Sequence, residues 1–174
     1  MIDLKKKVLL VLGIVLLSLV GCQESNKTSI ISNNEKINTS KMEHKHCSRT
    51  ATASSDIEVS LNYDIYYTGD ILNIVHSEEI VTSSKKENLD LYEDSYRKIS
   101  EYYKDLDYYD FEVKRDENST GAIITINYDK VDIGKLLDLE GEEDNIIENG
   151  KAKVDKWMEL AKKFGTSCTD VEEK

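Results

Sequence analysis

Ile57-Glu58-Val59-Ser60-Leu61-Asn62-Tyr63-Asp64-Ile65-Tyr66-Tyr67 decides the fold of this chain. A period of two puts Ile57, Val59, Leu61, Tyr63, Ile65 and Tyr67 on one side and Glu58, Ser60, Asn62, Asp64 and Tyr66 on the other. Such a stretch makes a strand with one buried face, in a sheet whose other face is at least partly wet. Thr68-Gly69-Asp70 turns the chain, and residues 71–81 read as the return strand, with Ile74, Val75, Ile80 and Val81 apolar but the alternation poor. Residues 47–53 suggest a shorter first strand, and Asp56 ends the connection to the second.

Downstream, Ser84 and Glu87 have the spacing of a capping box. The helix they introduce runs to about Lys104, with Leu89, Tyr92, Tyr96, Ile99, Tyr103 and Leu106 on one stripe. Residues 111–117 and 122–129 predict a hairpin around Asn118-Ser119-Thr120-Gly121. Asp132 can cap a short turn carrying Ile133, Leu136 and Leu137. A last helix over residues 151–164 has Val154, Trp157, Ala161 and Phe164 as its stripe, and Gly165 suits its end. This order predicts an α+β domain: an antiparallel sheet of about five strands with two amphipathic helices packed on one face.

The N-terminus has a different character. Lys5, Lys6 and Lys7 precede an apolar run of about 13 residues, a secretory signal too short to span a bilayer comfortably. Leu19-Val20-Gly21-Cys22 resembles the bacterial lipobox. That resemblance implies cleavage after Gly21 and a diacylglyceryl thioether on Cys22, so residues 1–21 are expected to be a lipoprotein signal peptide. Residues 22–46 are rich in Ser, Asn, Thr, Lys and Glu and read as a disordered polar tether. Residues 47–168 form the single domain, and 169–174 a disordered tail.

About 150 residues remain after the signal, enough for one domain. The whole chain carries −11. Loss of three lysines and Asp3 with the signal takes the remainder to about −13, which repels nucleic acid and anionic headgroups. The expected partners are the membrane, through the lipid, and an unidentified protein or small molecule, with the domain monomeric. With Cys22 lipidated, Cys47 and Cys168 remain, one at each end of the patterned region. An extracytoplasmic compartment permits a disulfide between them; two unrelated thiols are the alternative.

Other candidate sites compete with blander readings. His44, His46 and Cys47, with Cys168, offer a zinc-type donor set, and Met42 would bring copper chemistry. In an extended segment, however, His44 and His46 point away from Cys47, which favours solvated histidines plus a disulfide and no metal. Asp138, Glu140, Glu142, Glu143 and Asp144 lack the EF-hand order of ligands, so a solvated acidic loop is expected rather than a Ca²⁺ site. His76 is the one histidine within the patterned domain. No nucleophile elbow, phosphate-cradling loop or zinc-protease motif accompanies it, so no catalytic residue or cofactor is assigned. Tyr66, Tyr102, Tyr108 and Tyr109 fall off the core stripes and could form an aromatic binding patch.

Several features now combine. They are the lipobox, the polar segment after it, Cys47-Ser48-Arg49, the Tyr-rich strand with Tyr67-Thr68-Gly69-Asp70, the Tyr-rich helix, Tyr108-Tyr109-Asp110-Phe111, and Gly165-Thr166-Ser167-Cys168. Together they resemble the YehR-like bacterial lipoproteins, a family of unknown function. The resemblance, over about residues 47–168, implies a small lipidated α+β domain outside the cytoplasm and brings no catalytic or binding residue with it. The expected function is a non-enzymatic, lipid-anchored envelope module that binds a partner or ligand; the alternative is an envelope enzyme or metal-handling lipoprotein.

Overall fold

The computed structural model describes residues 29–141 and 145–172. The signal segment, Cys22 and the residues up to 28 lie outside it, as do Glu142, Glu143 and Asp144 of the acidic run. A small hairpin of β1 (Ser29–Ser32) and β2 (Glu35–Asn38) comes first, followed by three long strands, β3 (Glu43–Ser54), β4 (Ile57–Thr68) and β5 (Ile71–Ser83). Helix α1 (Lys86–Tyr103) leads to the hairpin β6 (Tyr109–Arg115) and β7 (Ser119–Asn127). Helix α2 (Ile133–Glu140), a two-residue hairpin pair β8 (Ile147–Glu148) and β9 (Lys151–Ala152), helix α3 (Val154–Lys163) and β10 (Ser167–Asp170) complete the chain.

The main sheet has six strands in the order β10-β3-β4-β5-β7-β6, every pair antiparallel. The α+β expectation holds, with a sixth strand and a third short helix beyond it. Helix α3 packs Trp157 and Ala161 on Cys47, Ile65, Tyr67, Leu72 and Val75. Helix α1 packs Leu89 and Tyr96 on Val81 and Ala122, beside Ile57 and Val59, and α2 packs Leu136 near Ile126, Tyr103 and Leu106. The β4 residues in the α3 and α1 clusters are those of the apolar register, and Ile126 under α2 pairs with Val75 of the α3 cluster, so all three helices cover one face.

Several boundaries differ from the sequence reading. The tether expected over 22–46 fails from Ser29 onward. Asn33 and Asn34 both take left-handed φ, 50° and 62°, the conformation of a two-residue type I′ turn. The β1–β2 hairpin they close has little core of its own and borrows one, placing Ile30 against Tyr66 and Ile74, with Ile37 and Met42 beside them. Tyr66 and Ile74 belong to the face opposite the helices, so the hairpin covers one end of the otherwise open face. This explains the poor alternation in β5: around Leu72, Asn73, Ile74 and Val75 the strand is covered on both sides. Strand β3 likewise begins at Glu43 rather than Cys47. The expected 169–174 tail is partly strand, since Thr169 and Asp170 pair with His46 and Lys45.

The capping box at Ser84 and Glu87 does not form. Helix α1 has Lys85 as its N-cap with no side-chain cap bond; instead Ser83 Oγ accepts from the Lys85 N–H (3.1 Å) and from Asn88 Nδ2 (3.2 Å). Asp132 does cap α2, accepting from the Lys135 N–H at 3.1 Å. The β6–β7 turn falls at residues 116–118, beginning two residues before the position expected, where the Asp116 N–H donates to the Ser119 carbonyl (2.9 Å). Gly121 is therefore a strand residue, and its role is close approach: a Cβ there would sit 2.1 Å from the Glu79 carbonyl oxygen. Lys151 and Ala152, expected in the last helix, form β9 after a left-handed Asn149-Gly150 turn (φ 51° and 74°).

Because the obstacle at Gly121 is backbone, no rotamer change relieves it. Gly121→Ala is expected to lower stability by about 1–3 kcal/mol, the usual cost of overpacking. The check is the midpoint of chemical denaturation against wild type.

Candidate functional site

Strand parity sorts the candidate residues onto two faces. On the helix face, Cys47 of β3 lies opposite Cys168 of β10 and Tyr63 of β4. The two sulfurs are at disulfide distance, 2.04 Å, with Cα atoms 3.9 Å apart. That is shorter than both the roughly 4.5 Å of a directly opposed non-hydrogen-bonded pair and the roughly 4.4–6.8 Å common in disulfides. Two residues on, Arg49 donates from its guanidinium to the Phe164 carbonyl at the end of α3. Gly165 follows with φ 75°, and the Thr166 N–H and Oγ1 both donate to the Ala161 carbonyl (3.1 and 2.7 Å). The Cys-x-Arg pair thus holds the C-terminal segment twice, by the paired cysteines and by capping the last helix.

Two carboxylates lie on this side, Glu79 on β5 and Glu140 at the end of α2. Tyr96 Oη donates to Glu79 Oε1 at 2.6 Å, and burial raises the Glu79 pKa despite that bond. Tyr103 stacks on Tyr109 with ring centroids 4.2 Å apart. Burial pushes Glu140 up to about 7, with Tyr103 pulling the other way. The Glu140 residue as a whole is exposed, so water screens this group more than it does Glu79. A shallow recess of about 300 Å³ lies beside it, lined by Tyr102, Leu106, Lys135 and Leu139 with Asp105 and Asp138.

The opposite face carries the histidines. His46, Asp64 and His76 are successive partners in one cross-strand row, which continues to Thr125 and Asp110. His44 Nε2 and His46 Nδ1 each lie 3.0 Å from the same oxygen, Asp64 Oδ1. His44 stacks on Tyr66 at 4.3 Å and 11°. His76 Nδ1 is 2.9 Å from Thr125 Oγ1. Burial would raise the Asp64 pKa, but the bonds from His44 and His46 outweigh it and hold the carboxyl below the usual range. At the row's end the Asn33 N–H donates to both Asp110 oxygens (2.8 and 3.1 Å), tying down the β1–β2 hairpin.

The zinc set of His44, His46, Cys47 and Cys168 is divided between the two faces and does not assemble. Among the described residues no three His, Cys, Asp or Glu side chains stand ready around a metal position. The aromatic patch does not form either: Tyr66 is buried under β1, Tyr109 is stacked on Tyr103, and Tyr108 lies by Lys130, 5.0 Å from its ring. Sequence reasoning missed Asp64 as the meeting point of the histidines, because that depends on the register between β3 and β4. Among the described residues no helix is long and apolar enough to cross a membrane.

No family model matches the chain, and no curated protein matches it. Among solved structures it is similar to the NMR structure of the E. coli YehR protein, at 21% identity and a TM-score of 0.51 over 76% of this chain and 94% of that one. A protein from Streptococcus pneumoniae TIGR4 matches at 12% identity and a TM-score of 0.47, covering 90% and 100%. The YehR likeness establishes a shared fold.

The raised Glu79 pKa has a testable sign. A carboxyl that holds its proton more tightly when folded favours the fold below the unfolded pKa of about 4.3, and loses that advantage as pH rises through the folded value. Glu79→Gln keeps an acceptor for Tyr96 and removes the charge. The variant is expected to gain on wild type at pH 7–8, with the difference closing toward pH 4, in denaturation curves across that range.

Proposed function

We propose that this chain is a YehR-like lipoprotein, anchored by an acylated Cys22 on the outer side of the cytoplasmic membrane, and that its domain is a non-enzymatic binding module. The observation that carries the binding reading is the open sheet face. Its central row gathers charged and hydrogen-bonding side chains at a surface the three helices leave uncovered. The buried Glu79 carboxylate suits a structural role, since the Tyr96 hydroxyl holds it beneath α1. The Cys47–Cys168 pair at disulfide distance supports an oxidising compartment, in keeping with the basic, apolar leader and its lipobox. Two or more acyl chains anchor stably where one binds only marginally.

The anchor is tested by detergent-phase partitioning and intact mass. Wild type is expected in the detergent phase with a mass raised by the lipid, and Cys22→Ala in the aqueous phase without it. An unlipidated wild type released from membranes would remove the anchor from this reading. The bridge has its own test. Replacing both Cys47 and Cys168 by Ser is expected to cost several kcal/mol, at most about 5 for a loop of this length; two free thiols by mass in the isolated protein would overturn the bridge.

A further inference from the structure

The face that the helices leave open has a bare notch near its centre. Strand register sets its side chains out in rows. One row runs Ser60, Ile80, Gly121 and Lys114, and the next runs Asn62, Glu78, Ile123 and Glu112. Gly121 carries no side chain, and a Cβ there would meet the Glu79 carbonyl oxygen at 2.1 Å, so this strand position stays bare. Ile80 is the direct cross-strand partner of Gly121. Ile123 stands two residues along β7 and so shares its face. Both isoleucines are half-buried and belong to none of the core clusters. We propose that this notch docks a lysine- or arginine-rich segment of a partner protein, with one small apolar side chain seated over Gly121 beside Ile80 and Ile123.

The charge around the notch selects a cationic partner. Glu78 and Glu112 flank Ile123 on either side in its own row, and such direct neighbours have Cβ atoms about 4.5–5.5 Å apart. Glu58 precedes Ser60 by two residues on β4, on the diagonal from Ile80. Glu112 is paired with Lys114, and Asp64 with the histidines. Among the described residues no ion pair reaches Glu58 or Glu78. On β4 to β7 this face therefore sets Glu58, Asp64, Glu78, Asp110 and Glu112 against Lys114 alone. The outer side of α3 has no such imbalance, with Asp155 and Glu159 among Lys156, Lys162 and Lys163.

The apolar pair narrows the partner further. Lysine and arginine lay their stems along apolar surface and keep their heads at the polar rim. Ile123 can take such a stem and Glu78 its head. A protein segment with both kinds of side chain fills the notch and answers the carboxylates, whereas a free polyamine does only the second. A second copy of this chain carries the same net charge of −11 and is repelled, as are anionic headgroups.

The inference deepens the binding-module reading and rests on the open face being the binding surface. The full chain in a neutral detergent is titrated with a short peptide of alternating lysine and alanine, and its isoleucine methyl signals are followed by NMR. Saturable binding is expected, shifting Ile80 and Ile123 and not Ile65, which lies in the core beneath α3. Glu58→Lys combined with Glu78→Lys should weaken it at least about tenfold, since like charges then oppose. Asp94→Lys combined with Glu159→Lys makes the same change of charge at exposed positions of α1 and α3 and should leave the affinity within about twofold. Circular dichroism checks that both variants fold, and the milder Glu78→Gln should weaken binding by a smaller factor. No saturable binding, an equal loss in both double variants, or spermine binding as tightly as the peptide would overturn the site. A peptide that shifts His46 but neither isoleucine would overturn the notch and leave the open face as the binding surface. None of these results bears on acylation of Cys22, so failure of the notch and failure of the anchor are distinguishable.

Discussion

A six-stranded antiparallel sheet covered by helices on one face obeys parity above all else. Along β4, each step of one residue exchanges core for open surface. Because β4 pairs with β3 on one side and β5 on the other, its parity spreads by register across the sheet. Cys47, Arg49 and Ala51 fall on the helix side with Tyr63, Leu61 and Val59. His44, His46 and Ser48 fall opposite, with Tyr66, Asp64 and Asn62. A one-residue slip of β3 would bury the imidazoles and expose the paired cysteines, so the Cys47–Cys168 pair and the His–Asp cluster report the same register from opposite faces.

That constraint also explains how the C-terminus is held. Strand β10 has only four residues at a sheet edge and offers little ladder of its own. It is fixed by neighbours of matching parity on β3: Cys47 faces Cys168, Lys45 pairs with Asp170, and Arg49 reaches the last turn of α3. The N-terminus of α3 is held at the same end of the sheet as the β4–β5 turn, through Lys153 Nζ to Asp70 Oδ2 at 2.7 Å and the Val154 N–H to the Asp70 carbonyl at 3.2 Å. Helix α3 is thus clamped at both ends, and Trp157 fills the space between.

Most of the fold was legible where periodicity had one cause. Strand β4, the α1 stripe of Leu89, Tyr96 and Tyr103, and the α3 stripe of Trp157 and Ala161 each bury one face against one layer, and the sequence pattern records it. Legibility failed where an element depends on something distant. Ile30 and Ile37 look like stray apolar residues because the β1–β2 hairpin takes its core from Tyr66 and Ile74, and Asn33-Asn34 is a weaker turn signal than a pair containing glycine. Gly121 resembled turn chemistry because a strand glycine pressed on a neighbouring carbonyl leaves no local mark. Of the candidate site, the opposition of Cys47 to His44 and His46 was readable from spacing alone. The convergence on Asp64 needed the register between two strands, which no single-strand pattern contains.

The polar groups retained beneath the helices follow from the same geometry. Glu79 sits between Leu61 on β4 and Ala122 on β7, at a parity that turns its side chain toward α1. A buried carboxylate without a partner is costly, and Tyr96 answers it with a short hydrogen bond from a position on the α1 stripe. Apolar contacts alone would let α1 slide or rotate over β5 and β7 with little penalty, since dispersion is non-directional. The Tyr96–Glu79 bond is directional, and sliding the helix by one turn would leave a buried acceptor unpaired. At this point the sheet gives up some stability at neutral pH and in return fixes the placement of its longest helix. That helix ends at Tyr103, against the strand that carries Asp110, so its position also sets the edge to which the β1–β2 hairpin is tied.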